Sequence, residues 1–166
     1  MKKITLAIAL ISLTAALSAQ TTQDSASIRL SGRVEKNVSI AVSGLNNFDA
    51  LDLTIDVVDL DVVAVTETSN VREGYTVSLT SANASAGSVD QPFFLGLDGS
   101  EELTYSVSYD GVPVNFNAGG AEVTNSNAKT GLNGRDRTLA ISYSAAEAHL
   151  GNDFYSDDLT FTITAK

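Results

Sequence analysis

The sequence predicts an all-β domain, a sandwich of about eight or nine strands, behind an N-terminal leader. Three observations carry that prediction. Serine and threonine alternate with valine, isoleucine and leucine along most of the chain beyond residue 26, the pattern of half-buried strands. Turn signals recur at intervals of roughly ten residues, as in sandwiches and barrels. Only Ala145 to Leu150 reads as a helical turn.

The leader comes first. Met1, Lys2 and Lys3 give a positive start, and Ile4 to Leu17 is apolar apart from Thr5, Ser12 and Thr14. A bilayer span takes about 20 apolar residues, so this stretch reads as a secretory signal. Cleavage after Ser18 places Ala16 and Ser18 at the small positions; cleavage after Ala19 is the alternative. The expected organisation is a leader over residues 1–18, an extension over 19–31, and a β-sandwich over 32–166.

From Ala26 to Val42 the even positions are mainly apolar, with interruptions at Gly32 and Lys36–Asn37. This predicts two strands in one line. Leu51, Leu53, Ile55 and Val57 alternate, and the phase then flips to Val58, Leu60 and Val62, which predicts a bulge or a break. Glu67 to Glu73 reads as a polar loop. Gly74 to Thr80 is a strand with Tyr75, Val77 and Leu79 on one face, and Ser81 to Asp90 is a small-residue loop. Gln91 to Leu97 is a short strand. Leu103 to Tyr109 alternates, and Asp110-Gly111 joins it to Val112–Phe116, a strong hairpin signal. Ala121 to Thr124, Arg137 to Ser144 and Leu159 to Thr164 complete the set.

Composition narrows the function. Removing 18 residues from 166 leaves 148, one domain's worth. Lys2 and Lys3 leave with the leader, so eight basic residues face 20 acidic ones, a formal charge of −12. Such a surface argues against nucleic acid and anionic lipid, and for basic partners or cations. The absence of cysteine excludes disulfides, thiol catalysis and cysteine-based metal sites. The single histidine, His149, has no patterned partner and reads as a surface residue. Phosphate-loop and dinucleotide glycine patterns are absent. No catalytic residues, no cofactor and no metal site are therefore assigned. Asp49, Asp52, Asp56, Asp59 and Asp61 read as a solvated strand face, with a cation site as the alternative. Asp157-Asp158 reads the same way, and Glu101-Glu102 as a charged turn. Tyr75, Tyr105, Tyr109, Tyr143 and Tyr155 are expected in the core or on sheet faces, with sugar stacking as a lesser alternative.

Three segments carry a family resemblance. Ser27-Ile28-Arg29-Leu30-Ser31-Gly32-Arg33-Val34 is an alternating extension that runs through a glycine. Asn70 to Leu79 holds a Gly-Tyr strand. Phe154-Tyr155-Ser156 leads into the closing strand to Ile163. In these the chain resembles the exported subunits of chaperone–usher fimbriae, although the disulfide that many of them carry is missing here. The resemblance implies an immunoglobulin-like sandwich of about seven to nine strands, lacking one that a neighbour supplies. It implies that Ala26, Ile28 and Leu30 are the donor-strand plugs, and that Leu159, Phe161 and Ile163 edge the acceptor groove. It also implies a periplasmic chaperone, an outer-membrane usher and neighbouring subunits as partners, at the cell surface, with no stable membrane insertion of the mature chain. The alternative reading is a self-complete surface module that binds a carbohydrate or host ligand.

Overall fold

The computed structural model describes residues 24–45, 48, 50–145, 150–151 and 154–166. The leader, Asp49 and His149 lie outside those residues, as does most of the Ala145 to Leu150 helical turn. The chain divides between Arg33 and Val34. In the first part, residues 24–33 form neither helix nor strand, and Ile28 and Leu30 are 84% and 86% exposed. No helix among the described residues is long and apolar enough to cross a membrane.

The second part is all-β. In chain order its strands are β1 (Val38–Gly44), β2 (Val57–Ser69), β3 (Tyr75–Ser81), β4 (Phe93–Gly96), β5 (Glu102–Thr104), β6 (Ser106–Tyr109), β7 (Val112–Pro113), β8 (Gly120–Ser126), β9 (Arg135–Tyr143), β10 (Tyr155–Ser156) and β11 (Leu159–Ala165). One short helix, α1 (Ala82–Gly87), follows β3. Five strands form one antiparallel sheet in the order β1-β2-β9-β6-β7. Two three-stranded antiparallel sheets, β11-β3-β8 and β10-β4-β5, complete the fold. Their inner faces share one core. Leu79 of β3 joins Val65, Val107, Leu139 and Ile141 of the large sheet. Phe94 of β4 stacks on Tyr105 at 4.4 Å and meets the edge of Tyr143 at 6.0 Å.

Several elements follow the sequence reading. Tyr75, Val77 and Leu79 are fully buried on one face of β3. The phase flip near Val58 is a bulge: the β2–β9 register shifts between Val57 and Leu60, and Asp59 adopts a φ of 50°. The Asp110-Gly111 hairpin takes positive φ at both residues, as its twist requires.

Other expectations need correction. Only Val38–Gly44 of the long first run is a strand. Asn37 exchanges hydrogen bonds with Asn70 (Asn37 N–H to Oδ1, 2.7 Å; Asn70 N–H to Asn37 O, 3.1 Å), and Asn70 Nδ2 donates to Glu35 O at 2.8 Å. These contacts fix residues 35–37 at a corner, so pairing begins at Val38. Residues 51–56 form no strand, and 53–55 are turn and bend. The predicted Glu67 to Glu73 loop is wrong for its first half, because Glu67–Ser69 finish β2 and Glu67 is fully buried. The loop shrinks to residues 70–74, where Gly74 has a φ of 101° and a Cβ would lie 1.9 Å from Ser126 O.

The predicted loop after β3 contains α1 because Ser81 caps it, its hydroxyl accepting from Ala84 N–H at 3.1 Å. Leu103 to Tyr109 keeps its alternation but is shared between β5 and β6 in different sheets, and Tyr105 N–H turns aside to Pro92 O. That hand-over and the two-residue strands β7 and β10 raise the count above the expected eight or nine.

Candidate strand-accepting cleft

Two strands of this sandwich are edges at the same seam. β1 ends the large sheet and β11 ends the β11-β3-β8 sheet. They run antiparallel to each other. Val38 pairs with Ser69, Ala165 pairs with Tyr75, and residues 70–74 join those two pairs, so β1 begins where β11 ends. The strands lie side by side, yet among the described residues no ladder joins them. Each therefore presents one row of backbone N–H and C=O groups that its own sheet leaves unpaired, a template for a further strand.

The alternation of both strands puts apolar side chains on the core side of this seam. Val38 and Ile40 of β1 and Leu159, Phe161 and Ile163 of β11 are half-buried, while Val42 is 52% exposed. Ile40, Leu159 and Phe161 pack against the core. The predicted groove residues Leu159, Phe161 and Ile163 are thus together on the inner face of β11. Ala26, Ile28 and Leu30 are exposed within residues 24–33 and belong to no strand.

The free edge of β11 is held at both ends. At its start, Asp157 accepts Ser81 Oγ–H and Tyr105 Oη–H at 2.6 Å each, and Asn83 N–H at 3.1 Å. Burial, then the bond to Asp157, pushes the Tyr105 hydroxyl pKa up. At its finish, Lys166 N–H donates to Gly74 O at 3.1 Å, and Lys36 Nζ donates to Lys166 O at 2.7 Å. Pinned ends leave the middle of the edge in a defined line, which lowers the ordering cost of an added strand.

Beneath the seam lies a feature that the sequence reading missed. Glu67, opposite Ile40 in the ladder, is fully buried. Its carboxylate accepts three hydroxyls: Tyr75 and Tyr109 at 2.8 Å, and Thr124 at 2.6 Å. These come from β3, β6 and β8, so one carboxylate ties both layers together. The Tyr109 ring in turn meets Phe161 of β11, 5.8 Å between centroids. A signal was present: Val65, Glu67, Ser69 and Val71 continue the period of two with Thr66, Thr68 and Asn70 between. Polarity alone had marked Glu67 as loop.

Part of the acidic stretch is the expected solvated strand face, since Asp59 and Asp61 are exposed on β2, but Asp52 and Asp56 precede the strand. Asp52 closes a turn, accepting Thr54 N–H at 3.0 Å, and its hydrogen bonds to the Thr54 side chain and backbone lower its pKa. Asp56 accepts Ala145 N–H at 2.7 Å, and Asp59 occupies the bulge. Among the described residues no group of three or more histidine, aspartate or glutamate side chains is placed to hold a metal ion. Tyr75, Tyr105, Tyr109 and Tyr143 are core residues, and Tyr155 is half-buried with its hydroxyl on Glu101. No protein-family model matches this chain, and no curated protein sequence matches it.

Proposed function

We propose that this protein is a structural subunit of a surface fimbria, polymerising by donor-strand exchange and carrying no catalytic activity. In this reading β1 and β11, which lie side by side, part to take the N-terminal segment of a neighbouring copy between them, about 4.8 Å from each, with Ala26, Ile28 and Leu30 as the inward plugs. Leu159, Phe161 and Ile163 form one wall of the acceptor. A periplasmic chaperone would occupy the cleft before assembly, and an outer-membrane usher would mediate the exchange.

One observation carries the reading: two antiparallel edges with half-buried apolar faces occur in a chain that also holds an alternating segment outside any strand. Strand addition satisfies both, because backbone hydrogen bonds give affinity and alternate side chains give register. The contact is head-to-tail and does not close on itself, so it propagates as a filament. Deletion of residues 20–31 tests it. Cells making the shortened chain are expected to lack filaments under the electron microscope. Filaments of normal length, or a full-length protein that stays monomeric in every assembly condition, would sink the reading.

A further inference from the structure

Charge on the Val34–Lys166 body is sorted by end. The β2–β3 turn, the β8–β9 loop, the start of β9 and the finish of β11 lie together, as the pairs Val38–Ser69, Tyr75–Ala165, Tyr75–Ser126 and Glu67–Arg135 require. Every basic residue after position 34 belongs to this end: Lys36, Arg72, Lys129, Arg135, Arg137 and Lys166. Arg72, Lys129, Arg135 and Lys166 are exposed there. Glu35, Glu67, Glu73, Asp110 and Asp136 bring this end close to balance. The opposite end, where β1 finishes and β11 starts, holds no lysine or arginine. It carries Asp52 to Asp61, the Asp98–Glu102 turn and Asp157-Asp158.

We infer that this polarity orients successive copies, seating the balanced end of one body against the acidic end of the next. The inference rests on the proposed strand exchange and names its regulation: the partner is a second copy of this chain, presented in one orientation. Two acidic ends brought within a Debye length, about 10 Å at 0.1 M salt, repel each other, whereas the mixed arrangement places exposed cations against carboxylates. Complementary charge of this kind sets encounter rate and excludes wrong partners more than it adds affinity.

The covalent geometry agrees independently. Glu35 and Asn37 are tied to Asn70 at the balanced end, so the segment preceding them is tethered there. Arg29 and Arg33 in that segment outnumber Asp24. The cleft end formed by Gly44 and Leu159 is the acidic one. The donor is thus anchored at the end that electrostatics turns toward the acceptor's mouth.

The test uses purified full-length protein, follows assembly by light scattering, and reads capture of a fluorescent peptide of residues 25–34 in parallel. Arg72→Glu with Lys129→Glu is expected to slow assembly about ten-fold at low salt and to leave peptide capture unchanged. Glu102→Lys with Asp158→Lys is expected to slow assembly similarly, and mixing the two altered proteins restores the rate. Raising salt from about 20 to about 500 mM erases the differences. Unchanged assembly rates in both altered proteins, with the peptide still captured, overturn the polarity inference alone. Wild-type protein that neither assembles nor captures the peptide overturns the strand-exchange reading and this inference with it.

Discussion

β3 and β11 are neighbours in one sheet, paired in register from Tyr75–Ala165 to Ser81–Leu159, and both alternate apolar with hydroxyl residues. Their inner faces nevertheless have different fates. Val77 and Leu79 are fully buried, while their partners Ile163 and Phe161 are only half-buried. β3 has a strand on either side, and β11 has one. The missing cover is a property of position in the sheet, since the sequence pattern is the same. β3 is closed by a strand on both sides, whereas the inner face of β11 stays partly exposed along the seam.

The largest test of this contrast is at the buried carboxylate. Glu67→Leu leaves the hydroxyls of Tyr75, Tyr109 and Thr124 without their acceptor, so a loss of about 3 kcal/mol or more is expected in urea denaturation. A variant as stable as wild type would show that Glu67 is not the tie between the layers.

Next come the two alanine substitutions that address the contrast directly. Leu79→Ala removes a fully buried side chain and is expected to cost about 3 kcal/mol. Phe161→Ala, half-buried, is expected to cost about 1 kcal/mol while abolishing capture of the residue 25–34 peptide. Equal losses of stability would mean that the seam is as closed as the core.

Alkaline pH probes the closed region alone. Burial, followed by the hydrogen bond to Glu67, pushes the Tyr75 hydroxyl up to about 12, and Tyr109 is also pushed up for the same two reasons. A tyrosine is neutral when protonated, and its unfolded value is about 10. The folded state therefore holds these protons more tightly. The stabilisation is fully present below pH about 10 and is lost as pH rises through about 12. Denaturation midpoints across that window, read with tyrosinate absorbance, check the sign; stability that rose with pH would contradict it.

The smallest effect belongs to the outer face of β11. Thr160 is exposed and points away from the seam, so Thr160→Ala is expected to change stability by no more than about 0.5 kcal/mol and to leave peptide capture intact. A large loss of capture there would place the docking surface on the wrong face of β11.

Much of the fold was legible in the chain. The period of two, the Asp110-Gly111 turn and the phase flip at Val58 each report local chemistry, and each lies in the predicted strand, hairpin or bulge. So did the inward side of β11, because alternation assigns Leu159, Phe161 and Ile163 to one face wherever the strand is placed. The failures share a cause as well. Glu67 was misread because polarity usually marks a loop, and its burial depends on hydroxyls from β3, β6 and β8 that converge only after folding. The loop after β3 was misread because the residues that organise α1 include Asp157, distant in sequence.

By itself, then, the sequence determined which residues face inward, where the chain turns and how its charges are ordered along it, because these depend on neighbours a few positions apart. Only tertiary structure decided that β1 and β11 are edges at one seam, that Glu67 sits beneath it, and that the basic residues gather at one end. Those facts depend on which strands pair, and pairing is settled by burial and backbone hydrogen bonding over the whole domain.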